Sequence, residues 1–244
     1  MWIIAEYLPT TLFSLRPATA TTSGGKSLLT PTAFAIKMAI LEATIRTRGL
    51  NAGKKIFPSI RDTKIAINPP PRIVVNSTFV KVLRINDSTG KKGKAEKERL
   101  IAEAKDKRKW PFYRTIAYRE FVQFSGSFMI AFRGMPFEQL APLLAQINYF
   151  GKRGSFFQLL GIPSVTETLP DSFTEITSSV NGSFPLGTLQ VIDDFGAEMT
   201  FDRANVYSNK SIRLNKDRVL HHVVLPYRLT QSSRGFSLYQ RLEE

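Results

Sequence analysis

The 244-residue sequence contains no cysteine and only two histidines, His221 and His222. The first absence removes disulfide frameworks, thiolate catalysis and nearly every structural zinc site. The second leaves a triad or metal enzyme little to work with, since adjacent histidines on a strand point to opposite faces. No stretch approaches the roughly 18 uninterrupted apolar residues of a membrane span. Residues 1–8 carry Glu6 and run into Pro9, too short and too polar for a signal peptide, so the expected location is cytoplasmic with no membrane partner. Lys and Arg are missing altogether between Gly154 and Asp202, a stretch that holds Glu167, Asp171, Glu175, Asp193, Asp194, Glu198 and Asp202.

Elsewhere positive charge is abundant: 34 Lys and Arg against 20 Asp and Glu give +14. With 43% apolar residues and 18 Phe the chain can bury a core, so this is a folded basic protein rather than a basic tail. Such an excess points to a polyanion, nucleic acid first. Residues 91–109 alone hold nine cations, Lys91 and Lys92 among them, and four acids. Pairs at i, i+4 favour a helix over 95–110, about 24 Å long at 1.5 Å per residue. Its apolar content is too small for a core position, which leaves a solvated surface helix or an arm lying along a nucleic acid.

Residues 2–8 read as a buried strand. Thr30 as N-cap and Pro31 as first helical residue open a helix in which Phe34, Met38, Leu41 and Ile45 recur until Gly49 stops it. The prolines at 69–71 exclude a helix, and residues 72–85 form a long β-branched strand. Residues 117–124 and 127–133 form a hairpin across Ser125 and Gly126. A second helix covers about 136–148, residues 155–160 make another strand, and the remainder is β-rich with turns at 181–182, 194–196 and 208–209. Strand, helix, strand, strand, helix, strand is the ferredoxin-like, RRM-type order, so the expected class is α+β. Either 72–85 or 117–124 supplies its second core strand.

Residues 20–27 read ATTSGGKS, one glycine short of the phosphate-binding GxxxxGK[ST] pattern. That loop needs its Lys and Ser on the first helical turn, whereas here the helix starts several residues later, so a loop touching phosphates through Lys26 is the better reading. Asp193-Asp194 fit a turn better than a metal pair. His221 and His222 lie in an apolar run and read as strand residues, with acid-base cleavage of RNA as the alternative. Tyr149-Phe150-Gly151-Lys152-Arg153-Gly154-Ser155 is sharper: two glycines let a phosphate approach the backbone, while Lys152, Arg153 and Ser155 offer charge and donors. A helix-stop glycine explains Gly151 but not the cations beside it.

Tyr118-Arg119-Glu120-Phe121-Val122, followed after four residues by Ser127-Phe128-Met129-Ile130, resembles the hairpin motif of the fifth Cas protein family. These are RAMP-superfamily subunits that cap the 5′ handle of CRISPR RNA in type I Cascade. The segment 149–155 is similar to that family's glycine-rich loop, with Gly154 inserted before Ser155 and the frequent Cys-Pro pair absent; Gly25-Lys26-Ser27 is similar to its N-terminal pattern. The resemblance covers roughly residues 1–160. It implies a RAMP domain over 1–160, a thumb inserted at about 86–112, and a β-rich C-terminal extension over 161–244. It further implies a non-catalytic subunit without cofactor or metal, whose partners are crRNA, the Cascade backbone and large subunits and, through the complex, target DNA. Arg16, Lys26, Arg119, Lys152 and Arg153 would neutralise phosphates around the glycine loop, and Tyr118 or Trp110 would stack on an unpaired base. In one subtype the member is a processing ribonuclease, which keeps His221 and His222 as the catalytic alternative.

Overall fold

Ile3, Ala5 and Tyr7 alternate with more exposed neighbours along the first strand, and all three are buried. That strand is an inner strand of an α+β fold, seen in a computed structural model that describes residues 1–20, 25–86 and 93–242. In chain order the elements are β1 (Trp2–Pro9), α1 (Ala33–Asp62), β2 (Lys64–Asn68), β3 (Arg72–Ile85), α2 (Lys94–Asp106), β4 (Phe112–Phe124), β5 (Phe128–Arg133), α3 (Phe137–Leu144), β6 (Phe157–Thr166), β7 (Thr174–Glu175), β8 (Thr188–Phe195), α4 (Phe201–Ala204), β9 (Arg218–Leu225), β10 (Tyr227–Ser232) and β11 (Phe236–Arg241).

One sheet has the order β6-β1-β5-β2-β7, every neighbouring pair antiparallel. The chain goes from β1 to β2 through α1, and from β5 to β6 through α3. Ile36, Ile40 and Leu140 from the helices and Ile3, Tyr7, Ile65, Ile67, Ile130 and Phe132 from the strands are buried in one apolar core. Trp2, Ala66 and Ala131 point to the other face and pack with Ile4, Leu169 and Phe173. A second sheet has the order β10-β11-β3-β4, and β8 pairs antiparallel with β9, with β8 against α1.

Several expectations are corrected. The cap of α1 is Thr32, not Thr30: Thr32 is extended and its hydroxyl accepts the Ala35 N–H at 3.1 Å. Gly49 does break the helix, with φ 83°, but helix resumes to Asp62. The second segment has its own apolar face, Ile56, Phe57 and Ile60, with Phe57 against the rings of Phe195 and Phe201. The second strand of the first sheet is neither of the two candidates but the short β2, whose Ile65 and Ile67 face Phe132 and Ile130.

Residues 117–124 do not pair with 127–133. The whole of β4 is taken by β3, in one register from Ile73↔Phe124 to Ile85↔Phe112, while β5 finds its partners in β1 and β2. The Ser125-Gly126 pair is therefore a corner between sheets, as are the prolines at 69–71. Asp193 and Asp194 do not make a turn; both lie buried in β8. The long β3–β4 ribbon carries α2 at its tip, and no α2 residue is buried. No helix among the described residues is long and apolar enough to cross a membrane.

Candidate nucleic-acid interface

The glycine-rich segment between α3 and β6 is a projecting loop held at both ends. Tyr149 and Phe156 form an isolated antiparallel bridge, and Ser155 N–H donates to the Lys152 carbonyl at 3.1 Å, which closes a turn. Gly151 and Gly154 have φ of 71° and 98°, the left-handed region that glycine tolerates. A side chain at Gly151 would also meet Leu15, since a Cβ there falls 2.4 Å from its Cδ2. Thr11 clamps the loop from the end of β1: its hydroxyl donates to the Gly154 carbonyl at 2.8 Å and accepts the Phe156 N–H at 3.0 Å. Lys152 and Arg153 are exposed, and neither forms an ion pair with a described residue. Ser155 is only 3% exposed, beneath the loop rather than on its surface.

Leu15 links this loop to the second group of motif residues. Its N–H donates to the Ser27 hydroxyl at 2.9 Å, and Leu28 N–H returns to the Leu15 carbonyl at 2.7 Å. The strip 25–28 lies across β4, where Gly25 fits so closely that a Cβ would stand 2.0 Å from the Tyr118 carbonyl oxygen. Glu120 organises the junction. Its buried carboxylate accepts Ser27 N–H at 2.8 Å and the Tyr118 hydroxyl at 3.2 Å, and pairs with Lys26 Nζ at 3.1 Å. Its hydrogen bond and charge hold the Lys26 amine above the ordinary lysine range. The Gly25-Lys26-Ser27 and Tyr118-Arg119-Glu120 motifs are thus two halves of one site, and the distance from Lys26 to the start of α1 excludes a phosphate loop of the helix-terminus type.

The Tyr118 hydroxyl also lies 2.8 Å from the Ser77 hydroxyl, which can donate to it, and the Tyr118 ring meets the exposed Phe79 edge-on at 5.6 Å. Arg119, on the opposite face of β4, donates to the Tyr118 carbonyl at 3.1 Å. Arg16 is exposed next to Leu15 and donates to the Ala20 carbonyl at 2.9 Å. Trp110 is half-buried at the base of the arm, between α2 and β4. Lys91 and Lys92 lie outside the described residues. The structure therefore joins Lys26 and Tyr118 through the Glu120 carboxylate, and ties both to the Lys152-Arg153 loop through Leu15.

His221 and His222 are neighbours on β9, paired with β8, the strand that packs against α1. Burial pushes the His221 imidazole below the ordinary histidine value, while Asp194 opposes that shift. Asp194 itself is committed to Lys37 at 2.7 Å, with both side chains buried, and Asp193 to Arg218, whose guanidinium lies 4.3 Å from the centre of the Phe34 ring. Both carboxylates are structural anchors between α1, β8 and β9. Sequence reading missed Glu120 and Thr11 as site residues; an acid alternating with Tyr118 and Val122 on a core-facing strand was the available signal for Glu120.

No family model matches the chain. It is 25% identical over 206 residues to the CRISPR-associated protein Cas5 of Archaeoglobus fulgidus, covering 82% of each chain. The resemblance carried by the motifs is borne out by this relative. Among solved structures it is similar to a CRISPR protein from Archaeoglobus fulgidus, with a TM-score of 0.41 and 15% identity over 99% of this chain and 92% of that one. The Csm1–Csm4 cassette in complex with pppApA is similar at a TM-score of 0.34 and 13% identity, covering 98% and 87%.

Proposed function

We propose that this chain is a non-catalytic crRNA-binding subunit of a type I CRISPR surveillance complex, holding the 5′ handle of the guide. The observation that carries this reading is the sequence relationship to a protein named CRISPR-associated protein Cas5 across 82% of both chains. The strand order β6-β1-β5-β2, with α1 and α3 as the two crossovers, supports a ferredoxin-like RAMP core over residues 1–160. Lys152 and Arg153, exposed on a glycine turn and without an ion pair among the described residues, support phosphate contact at that loop. The arm at 86–112 is the thumb on this reading. The Lys- and Arg-free segment 155–201 turns toward the backbone and large subunits or toward solvent. Target sequence is read by the guide through base pairing, not by this chain.

Phosphate binding makes affinity depend on salt. With about six phosphates neutralised at roughly −0.7 per contact, affinity for single-stranded repeat RNA falls about 300-fold between about 50 and about 200 mM salt. The double substitution Lys152→Ala, Arg153→Ala removes about two contacts and cuts that loss to about 50-fold. Binding and cleavage are scored together on labelled repeat RNA in EDTA. A salt-independent affinity, or metal-independent cleavage abolished by His221→Ala or His222→Ala, refutes the reading.

A further inference from the structure

A cavity of about 540 Å³ opens beside the glycine loop, between α1 and the residues that follow α4. Its size falls in the range of small-molecule sites. Ala35 and Ala39 of α1 contribute no bulk, so the floor is deep, and Met38 and Ile45 line it with partly buried apolar surface. Tyr149 and Tyr207 both line it, the latter 84% exposed.

The charge around this slot is one-sided. Among the described lining residues the one acid, Glu42, is held by Arg46 at 2.9 Å. Arg153 has no acidic partner among the described residues, and Lys152 lies next to it. A slot with aromatic edges and an apolar floor suits the flat face of a base, and the free cations suit the phosphates on either side of it. An apolar protein segment fills the floor equally well but gains nothing from two uncompensated cations.

We propose that this slot receives one unstacked nucleobase of a single-stranded RNA whose backbone crosses the Lys152-Arg153 turn. The proposal rests on the RNA-binding reading above and adds to it a base site and a stacking residue, Tyr207. Stacking is indifferent to base identity, so the slot orders the strand without selecting its sequence.

Stacking and phosphate contact separate by salt. With an unstructured single-stranded RNA, Tyr207→Ala lowers affinity between about 5-fold and about 150-fold and leaves the slope of log affinity against log salt unchanged. Arg153→Ala lowers the slope by about 0.7. Tyr207→Phe keeps the ring and keeps the affinity. An RNA carrying 5-iodouridine crosslinks to Tyr207 or Tyr149. If RNA binds with the expected salt slope but Tyr207→Ala binds as tightly as the parent, and the crosslinks fall elsewhere, the base site is refuted while RNA binding stands. If Tyr207→Ala binds RNA normally and loses assembly with co-expressed neighbouring subunits, the slot belongs to a protein and the proposal is overturned. Absence of any salt-dependent RNA binding overturns both.

Discussion

Replacing Glu120 tests the junction between the two motifs, because its carboxylate serves three donors from a position only 5% exposed. Glu120→Ala strands the Ser27 N–H, and an orphaned buried donor costs about 1–3 kcal/mol. It also removes the ion pair to Lys26. That side chain is 75% exposed, so solvent screening limits the pair to about 0.5 kcal/mol. The Tyr118 hydroxyl keeps Ser77 as a partner and adds little. The total is about 2–4 kcal/mol once the lost side-chain packing is included. Glu120→Gln retains an oxygen for Ser27 and gives up only the charge, so its cost stays near 1 kcal/mol. Urea unfolding at neutral pH, read by intrinsic fluorescence, measures both losses. Amide exchange at Ser27 and Leu28 localises them, since in the alanine variant these protons lose protection before the first sheet does. Equal destabilisation by the two substitutions, or none by either, refutes the assignment of Glu120 as the hub. On the RNA side the glutamine variant frees Lys26 and raises the net charge by one, so its affinity at low salt equals or exceeds that of the parent.

Lys37→Met leaves the Asp194 carboxylate buried without its cation and costs about 3–5 kcal/mol at neutral pH, whereas Lys37→Met with Asp194→Leu recovers most of that loss. Burial already holds the Asp194 carboxyl above its ordinary value of 3.8, and losing Lys37 lifts it further. A raised carboxyl favours the fold below the unfolded value and weakens it as pH climbs toward the folded one, so the single variant's deficit shrinks as unfolding is measured nearer pH 4. Gly151→Ala forces a β-carbon into Leu15 at a φ of 71°. It is expected to cost about 1–2 kcal/mol in thermal or urea unfolding and to weaken RNA binding through a displaced Lys152-Arg153 turn. Unchanged stability and affinity count against the clamp described for that loop.

What the sequence made legible was local. The periodicity of α1, the short apolar run of β1 and the glycine spacing of 149–155 each report on neighbours a few residues away, and each reappears in the fold. Pairing partners were not legible, because a strand's alternation does not say which strand it meets. Residues 117–124 and 127–133 look like a hairpin, yet β4 is consumed by β3 along its full length and the chain between them turns a corner into the other sheet. The β2 strand is five residues directly after a helix, too brief to show its period. Tyr118, Arg119 and Glu120 were visible as a motif, but the meeting of Glu120 with Ser27, 93 positions away, depends on how the strip 25–28 lies over the sheet.

The β3–β4 ribbon continues the face that is buried at Val75 and Val122 into open solvent, where Phe79, Leu83, Ile85, Phe112 and Ile116 are exposed. Beyond Ser77 about eight residues of ribbon project, roughly 26 Å at 3.3 Å per residue, with α2 at the far end. Such a ribbon is a lever whose fulcrum lies at Asn76 and Ser77, where β11 stops pairing with β3. A rotation of about 10° there carries the tip through about 4–5 Å over that ~26 Å span. The core therefore sets only the direction of the arm, and the tip comes to rest where its load holds it. Lengthening or trimming α2 changes how far the lever reaches without disturbing a single buried side chain.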